Sequence, residues 1–130
     1  MLTNDSPVDA LFPENVKTKA TINYETAFNE HQETGKPFIV IITADWCPPC
    51  QDLKTNIFPR IFKKIKKNKF CYAEVNWDEE PAQVKLLTKS TTVPQVIIFY
   101  KLGKVSKRVD FIGLKEKEVY DFLEKLQELK

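Results

Sequence analysis

Glycine, histidine and cysteine are all scarce in this chain, and each scarcity closes off a class of protein. Three glycines in 130 residues argue against a collagen-like or low-complexity chain, and 42% hydrophobic with 29% charged residues is the composition of a soluble globular protein. Three cysteines are too few for a disulfide scaffold, and one Cys-x-x-Cys pair with a distant Cys71 is not the spacing of a zinc ribbon. Zinc on Cys47 and Cys50 would need two more ligands, for which Cys71 and the single histidine, His31, are the candidates. Neither sign of charge prevails. Twenty basic against eighteen acidic residues give +2, too little for the global field to imply a nucleic-acid or membrane-surface partner. The longest apolar run, around residues 38–42, falls far short of the roughly 20 residues that span a bilayer, so no membrane insertion is expected. Residues 1–9 lack the basic start and apolar stretch of a signal peptide.

The length is that of one domain, enough to close a core without disulfide staples or a structural metal. Residues 1–20, with Pro7 and Pro13 among small polar residues, read as an extended lead-in, and 21–130 as the domain. A helix is expected over 24–33, with Tyr24, Ala27, Phe28 and His31 on one face, ended by Gly35 and Pro37. Residues 38–44 are apolar and β-branched, as in a strand buried on both faces. A helical pattern follows through Gln51, Leu53, Ile57, Phe58, Ile61, Phe62 and Ile65. In it Pro59 predicts a kink or break near 56–59 and a restart toward Lys67. A strand at 70–77, a helix at 80–89 and a strand at 95–100 come next. Gly103 then turns the chain into a more alternating strand at 105–112. The terminal helix buries Leu114, Val119, Phe122, Leu123, Leu126 and Leu129. The order predicts an α/β sandwich with a mixed central sheet.

The chemistry sits between the first strand and the second helix, in Trp46-Cys47-Pro48-Pro49-Cys50. Disulfide exchange needs a thiolate to attack and a second thiol to resolve the mixed disulfide that results. If Cys47 opens the helix, backbone N–H groups and the positive end of the helix dipole favour its anion and lower its pKa. Cys47 is then the nucleophile and Cys50, one turn inside, the more shielded resolving thiol. Pro48 and Pro49 stiffen the loop and should tune the redox potential. Half a metal site is the competing reading of the pair.

Ala44-Asp45-Trp46-Cys47-Pro48-Pro49-Cys50, Val93-Pro94 before a strand and Gly113 before the last helix, in that order, resemble the thioredoxin superfamily from residue 24 onward. The resemblance implies a thioredoxin fold, a three-layer sandwich with a mixed central β-sheet flanked by helices. It implies a protein-disulfide oxidoreductase needing no cofactor beyond a redox-active Cys47–Cys50 disulfide, and a cis bond before Pro94. Pro94 would shape a substrate groove in which the Val93 backbone pairs with an extended substrate segment. The implied partners are protein dithiols or disulfides and an upstream redox partner, with the chain expected as a monomer. A thioredoxin-fold module that binds proteins without catalysis is the alternative. Ala-Asp-Trp-Cys with the interrupted helix is more similar to the C-terminal domain of bacterial membrane disulfide reductases and to small envelope proteins than to cytosolic thioredoxin, which leans toward an extracytoplasmic bacterial setting. Three features depart from thioredoxin: Pro48-Pro49 in place of the glycine and proline between the cysteines, Ile41 at the buried acid and Glu74 at the lysine of the next strand.

Glu74 is the candidate proton acceptor for Cys50, acting through a water, against the plainer reading of a strand-end carboxylate in solvent. Trp46 is expected to flank an exposed sulfur and offer contact surface to partners, and Asp45 to cap the turn or face water. Cys71 lies an odd number of positions from Glu74, which in a strand puts the two on opposite faces; it reads as a small buried hydrophobe. His31 is expected at the surface or half-buried. Arg60, Lys63, Lys64, Lys66, Lys67 and Lys69 read as a solvated helix face.

Overall fold

A computed structural model describes residues 24–128. The lead-in expected at 1–20 and the terminal Leu129 lie outside the described residues. Helix α1 (Tyr24–Thr34) is followed by strand β1 (Phe38–Thr43), helix α2 (Pro48–Asp52), a π-helical turn (Leu53–Ile57) and helix α3 (Phe58–Lys64). Then come β2 (Cys71–Asn76), α4 (Pro81–Leu87), β3 (Gln95–Leu102), β4 (Val105–Ile112) and α5 (Glu116–Glu128). The four strands lie in the order β2-β1-β3-β4. β1 runs parallel to β2 and antiparallel to β3, and β3 and β4 form a hairpin closed by Leu102 opposite Val105 around Gly103 (φ +63°). At that φ a side chain would be strained, so glycine suits the turn.

Strand β1 is buried along its whole length, so its residues alternate between two cores. Ile39 and Ile41 face one core with Leu53, Ile57, Phe58 and Ile61 from the long helical stretch and Val119, Leu123 and Leu126 from α5. Phe38, Val40 and Ile42 face the other with Ala27 of α1, Val84 and Leu87 of α4, and Cys71, Ala73 and Val75 of β2. The molecule is thus three-layered, with α2, α3 and α5 on one face of the sheet and α1 and α4 on the other. This is the mixed sandwich that the resemblance implied.

As expected, the regular α-helix is interrupted before Pro59: a π turn at Leu53–Ile57 separates α2 from α3, which restarts at Phe58 with Pro59 in its first turn, ends at Lys64 and is followed by a 3-10 turn at Lys67–Lys69. One expectation is corrected. Leu114 is not part of the buried stripe: it precedes α5 and is 44% exposed, because the helix that orients the stripe starts two residues after it.

Candidate active site

The buried β1 delivers the chain to one edge of the sheet, where Ala44 is still buried and Asp45 and Trp46 turn outward. The Cys47 amide donates to Ala44 O across that turn. Cys47 is the N-cap of α2, in extended conformation (φ −111°, ψ 103°). Pro48 and Pro49 occupy the first two helical positions, where an N–H would have no helical acceptor. Because neither proline brings an N–H, the first amide the helix offers is that of Cys50, which is shared between Cys47 O at 3.1 Å and Cys47 Sγ at 3.2 Å. The two cysteines are disulfide-bonded, with Cα atoms 5.3 Å apart.

Both sulfur-bearing residues are covered. Cys50 is fully buried and Cys47 only 5% exposed, so the expectation of an exposed sulfur beside Trp46 needs correcting. Cys47 packs with Ala44 and Cys50 under Trp77 and Val93, and its Sγ lies 3.8 Å from Val93 O. The exposed parts of the motif are Trp46, at 62%, with Pro48 and Pro49. The Val93-Pro94 peptide is cis. Pro94 is buried and its carbonyl accepts from Gly113 N at 2.8 Å, which ties the loop before β3 to the end of β4.

A polar frame surrounds the motif that sequence reasoning missed. Trp46 Nε1 donates to Asp78 Oδ2 at 2.7 Å. Asn76, at the end of β2, accepts from the amides of Asp78 and Glu79 through Oδ1 and donates through Nδ2 to Asp45. Asparagine followed by two turn residues at a strand end is an Asx-turn signal, and it was there to be read. Gln95, fully buried, directs Nε2 at Thr88 Oγ1, Ser90 O and Thr92 O and so shapes the loop leading to Val93. A lone amide in an apolar strand was its signal.

The remaining candidates scatter. Glu74 is half-buried on the face of β2 that carries Tyr72, which packs against the core of α2, α3 and α5. Its hydrogen bond comes from Tyr72 Oη (3.0 Å) and not from a cysteine. Burial first, and the Glu74 carboxylate second, push the Tyr72 phenol well above its usual range. Cys71 lies on the opposite face, a free buried thiol. Burial chiefly, with Glu30 adding, pushes it up to about 11. His31 is buried rather than at the surface, because its Nδ1 donates to Lys36 O and its ring packs against Phe38. In the basic stretch, Lys63, Lys64 and Lys66 are exposed, and Arg60 pairs with Glu116 at 2.8 Å. Among the described residues no three His, Cys, Asp or Glu side chains gather as metal ligands.

The sequence model of a family described as thioredoxin-like matches residues 19–101, more than half of the chain. The chain belongs to the thioredoxin-like family. Thioredoxin H2 of Arabidopsis thaliana is 27% identical over 113 residues, covering 86% of this chain and 79% of that protein. The fold is also that of Trichomonas vaginalis thioredoxin (23% identity, 78% of this chain and 89% of that one, TM-score 0.63). It is shared by Trxlp from Edwardsiella tarda as well (22%, 78% and 94%, TM-score 0.63). Membership in the thioredoxin-like family, with a disulfide-bonded Cys47–Cys50 pair, supports a thiol-disulfide oxidoreductase in general terms.

Proposed function

We propose that this protein exchanges disulfides with protein partners through Cys47 and Cys50, Cys47 attacking and Cys50 resolving. The observation that carries the reading is the Cys50 amide aimed at Cys47 Sγ. In the reduced state that N–H, together with the N-terminal end of the helix, stabilises a thiolate on Cys47 and not on Cys50. The Cys47 thiolate attacks one sulfur of a target disulfide. The S–S bond breaks, the other target sulfur leaves as a thiolate and takes a proton, and Cys47 is joined to the target. Cys50 then loses its proton and attacks Cys47 Sγ. The Cys47–target bond breaks, the target leaves as a dithiol, and two electrons have moved from the pair to the target. Run in reverse, the same steps oxidise a partner dithiol, and a second redox partner restores the starting state. No cofactor beyond the dithiol takes part.

Trp46, Pro48 and Pro49 form the exposed surface that a target meets, and the Val93 backbone, beside Cys47 and held by the buried Pro94, pairs with an extended target segment. Glu74 lies beside Tyr72 on the sheet face against which the helical stretch that follows Cys50, from Leu53 to Ile61, packs. It is the carboxylate we assign to take the Cys50 proton, through an intervening water.

Insulin reduction driven by dithiothreitol tests the reading. The wild-type chain should accelerate precipitation of the insulin B chain, and Cys47→Ser should fall to the uncatalysed rate. Turnover retained by Cys47→Ser would remove Cys47 as the attacking sulfur, and a wild-type chain no faster than the uncatalysed rate would favour a non-catalytic binding module instead.

A further inference from the structure

The exchange steps leave one ion pair of the sheet without a role. Arg108 and Asp110 stand two residues apart on β4, across from Phe99 and Ile97 of β3, so both point to the face that packs against α1 and α4. Asp110 accepts from Arg108 through both oxygens, at 2.8 Å from Nε and 3.2 Å from Nη2. Their side chains are only 22% and 18% exposed, and the guanidinium lies over the Phe99 ring, 5.6 Å from its centroid. The same Nη2 also donates to the carbonyl of Leu87. Leu87 ends α4, where a carbonyl has no donor within its own helix. From Leu87 the chain runs to Val93, whose carbonyl lies 3.8 Å from Cys47 Sγ. This connection is fastened to β3 along its length, by Gln95 on Thr88, Ser90 and Thr92. At its end Gly113 N holds Pro94 O, and at its start it is Arg108 that ties it to β4.

We infer that Arg108 is a positioning residue for target recognition: braced by Asp110, it fixes the end of α4 and with it the start of the connection that presents Val93 to a target. The inference rests on the oxidoreductase reading and adds a residue to it. Arg108 acts through Leu87 and not on the sulfurs. β3 begins at Gln95, and Phe99, opposite Arg108, is four residues further on, roughly 13 Å along the strand. The guanidinium fork suits this task, since one planar group meets both carboxylate oxygens and still turns a donor to the carbonyl. Without that donor the last turn of α4 frays, and the Val93 backbone is presented in more than one position. An extended target pays for that freedom when it pairs. A small disulfide with no peptide backbone does not.

The test compares the full-length wild type with Arg108→Met, which keeps an unbranched apolar stem over Phe99 but has no donor, in dithiothreitol-driven reduction of a disulfide-bonded peptide and of 2-hydroxyethyl disulfide. Arg108→Met should raise KM for the peptide about fivefold with kcat within twofold, the pattern of lost binding rather than lost chemistry. Its rate with 2-hydroxyethyl disulfide should stay within twofold of wild type. Arg108→Lys keeps the charge and one donor and should recover part of the loss. Amide hydrogen exchange reads the fastening without reference to activity: the Thr88 and Ser90 amides should exchange about tenfold faster in Arg108→Met, and those of Ile39 and Ile41 in β1 at the wild-type rate. An unchanged peptide KM, or equal slowing with both substrates, would overturn the positioning role while leaving the redox reading intact. Unchanged exchange at Thr88 and Ser90 would overturn the fastening itself. A wild type inert toward both substrates would count against the redox reading, and the role of Arg108 in recognition would fall with it.

Discussion

The indole N–H of Trp46 donates to a carboxylate oxygen of Asp78 at 2.7 Å, joining the residue before the first cysteine to the loop between β2 and α4. Trp46 is 62% exposed, so packing does little to fix its orientation and this bond does most of it. Asp78 is fixed in turn by its own amide, which donates to Asn76 Oδ1 at 2.9 Å.

Asp78→Ala should therefore loosen Trp46 without touching the sulfurs. A charge-assisted bond at an exposed site is worth about 1 kcal/mol after solvent competition, which corresponds to a KM for protein disulfides about fivefold higher, with kcat within twofold. Asp78→Asn keeps an acceptor oxygen and should recover most of the loss. Steady-state insulin reduction gives the KM and kcat split, and fluorescence anisotropy in a Trp77→Phe background reads the freedom of Trp46. An unchanged anisotropy in Asp78→Ala would refute the anchoring role.

Gln95→Leu tests the loop that precedes Val93. An amide nitrogen has two hydrogens, so Gln95 serves at most two of its three acceptors at once, and its Oε1 is buried with no hydrogen-bond partner. Leucine removes that orphaned acceptor but strips the loop carbonyls of their donor. The two effects oppose each other, and the net loss should be about 1–2 kcal/mol, read from urea unfolding. Oxidation of a peptide dithiol should slow as well, since the loop carries the pairing edge. A variant as stable and as fast as wild type would leave Gln95 without a shaping role.

The two cores, the position of the cysteines and the faces of β2 were legible in the sequence because they depend on period alone. Phe38 to Ile42 could only be a strand buried on both sides, and Cys71 and Glu74, three positions apart, could only face opposite ways. Apart from the local signals of Asn76 and Gln95, what escaped was set by bonds between residues distant in the chain. Nothing local in Trp46 points to Asp78. The burial of His31 depends on a carbonyl beyond the end of its own helix. The cover over Cys47 comes from Trp77 and Val93, thirty and forty-six positions on. Pro59 was legible because its missing N–H cannot bond back to the preceding turn, and the chain meets that with a π turn at Leu53–Ile57 and a new α-helical start at Phe58.

Glu74→Gln separates the two halves of the exchange. If Glu74 takes the Cys50 proton, the resolving step should slow about tenfold at pH 7 while attack by Cys47 stays within twofold, and the deficit should shrink at alkaline pH as solvent base replaces the carboxylate. Quenched-flow measurement of the mixed disulfide resolves both steps. Equal resolving rates across pH would assign Glu74 to its bond with Tyr72 alone.

Cys71 predicts an alkaline weakness of the fold. Burial raises its thiol to about 11 from an ordinary value of 9.0, so between those values the unfolded chain releases a proton that the native chain keeps. Stability is whole below pH 9 and falls as pH rises from 9 through 11. Urea midpoints of the oxidised protein at pH 8 and 11 should converge less in wild type than in Cys71→Ala. Tyr72 titrates in the same direction in both proteins, so the difference isolates Cys71. Iodoacetamide should also spare Cys71 at pH 8 until the chain is unfolded.

Trapping the mixed disulfide tests the division of labour between the two cysteines most directly. Reduced Cys50→Ser, mixed with a peptide disulfide, should accumulate a covalent adduct through Cys47, visible by mass spectrometry and released by dithiothreitol, whereas reduced Cys47→Ser should form none. Adducts carried by Cys50 in Cys47→Ser, at a rate matching Cys47 in its own variant, would contradict the assignment of Cys47 as the attacking sulfur.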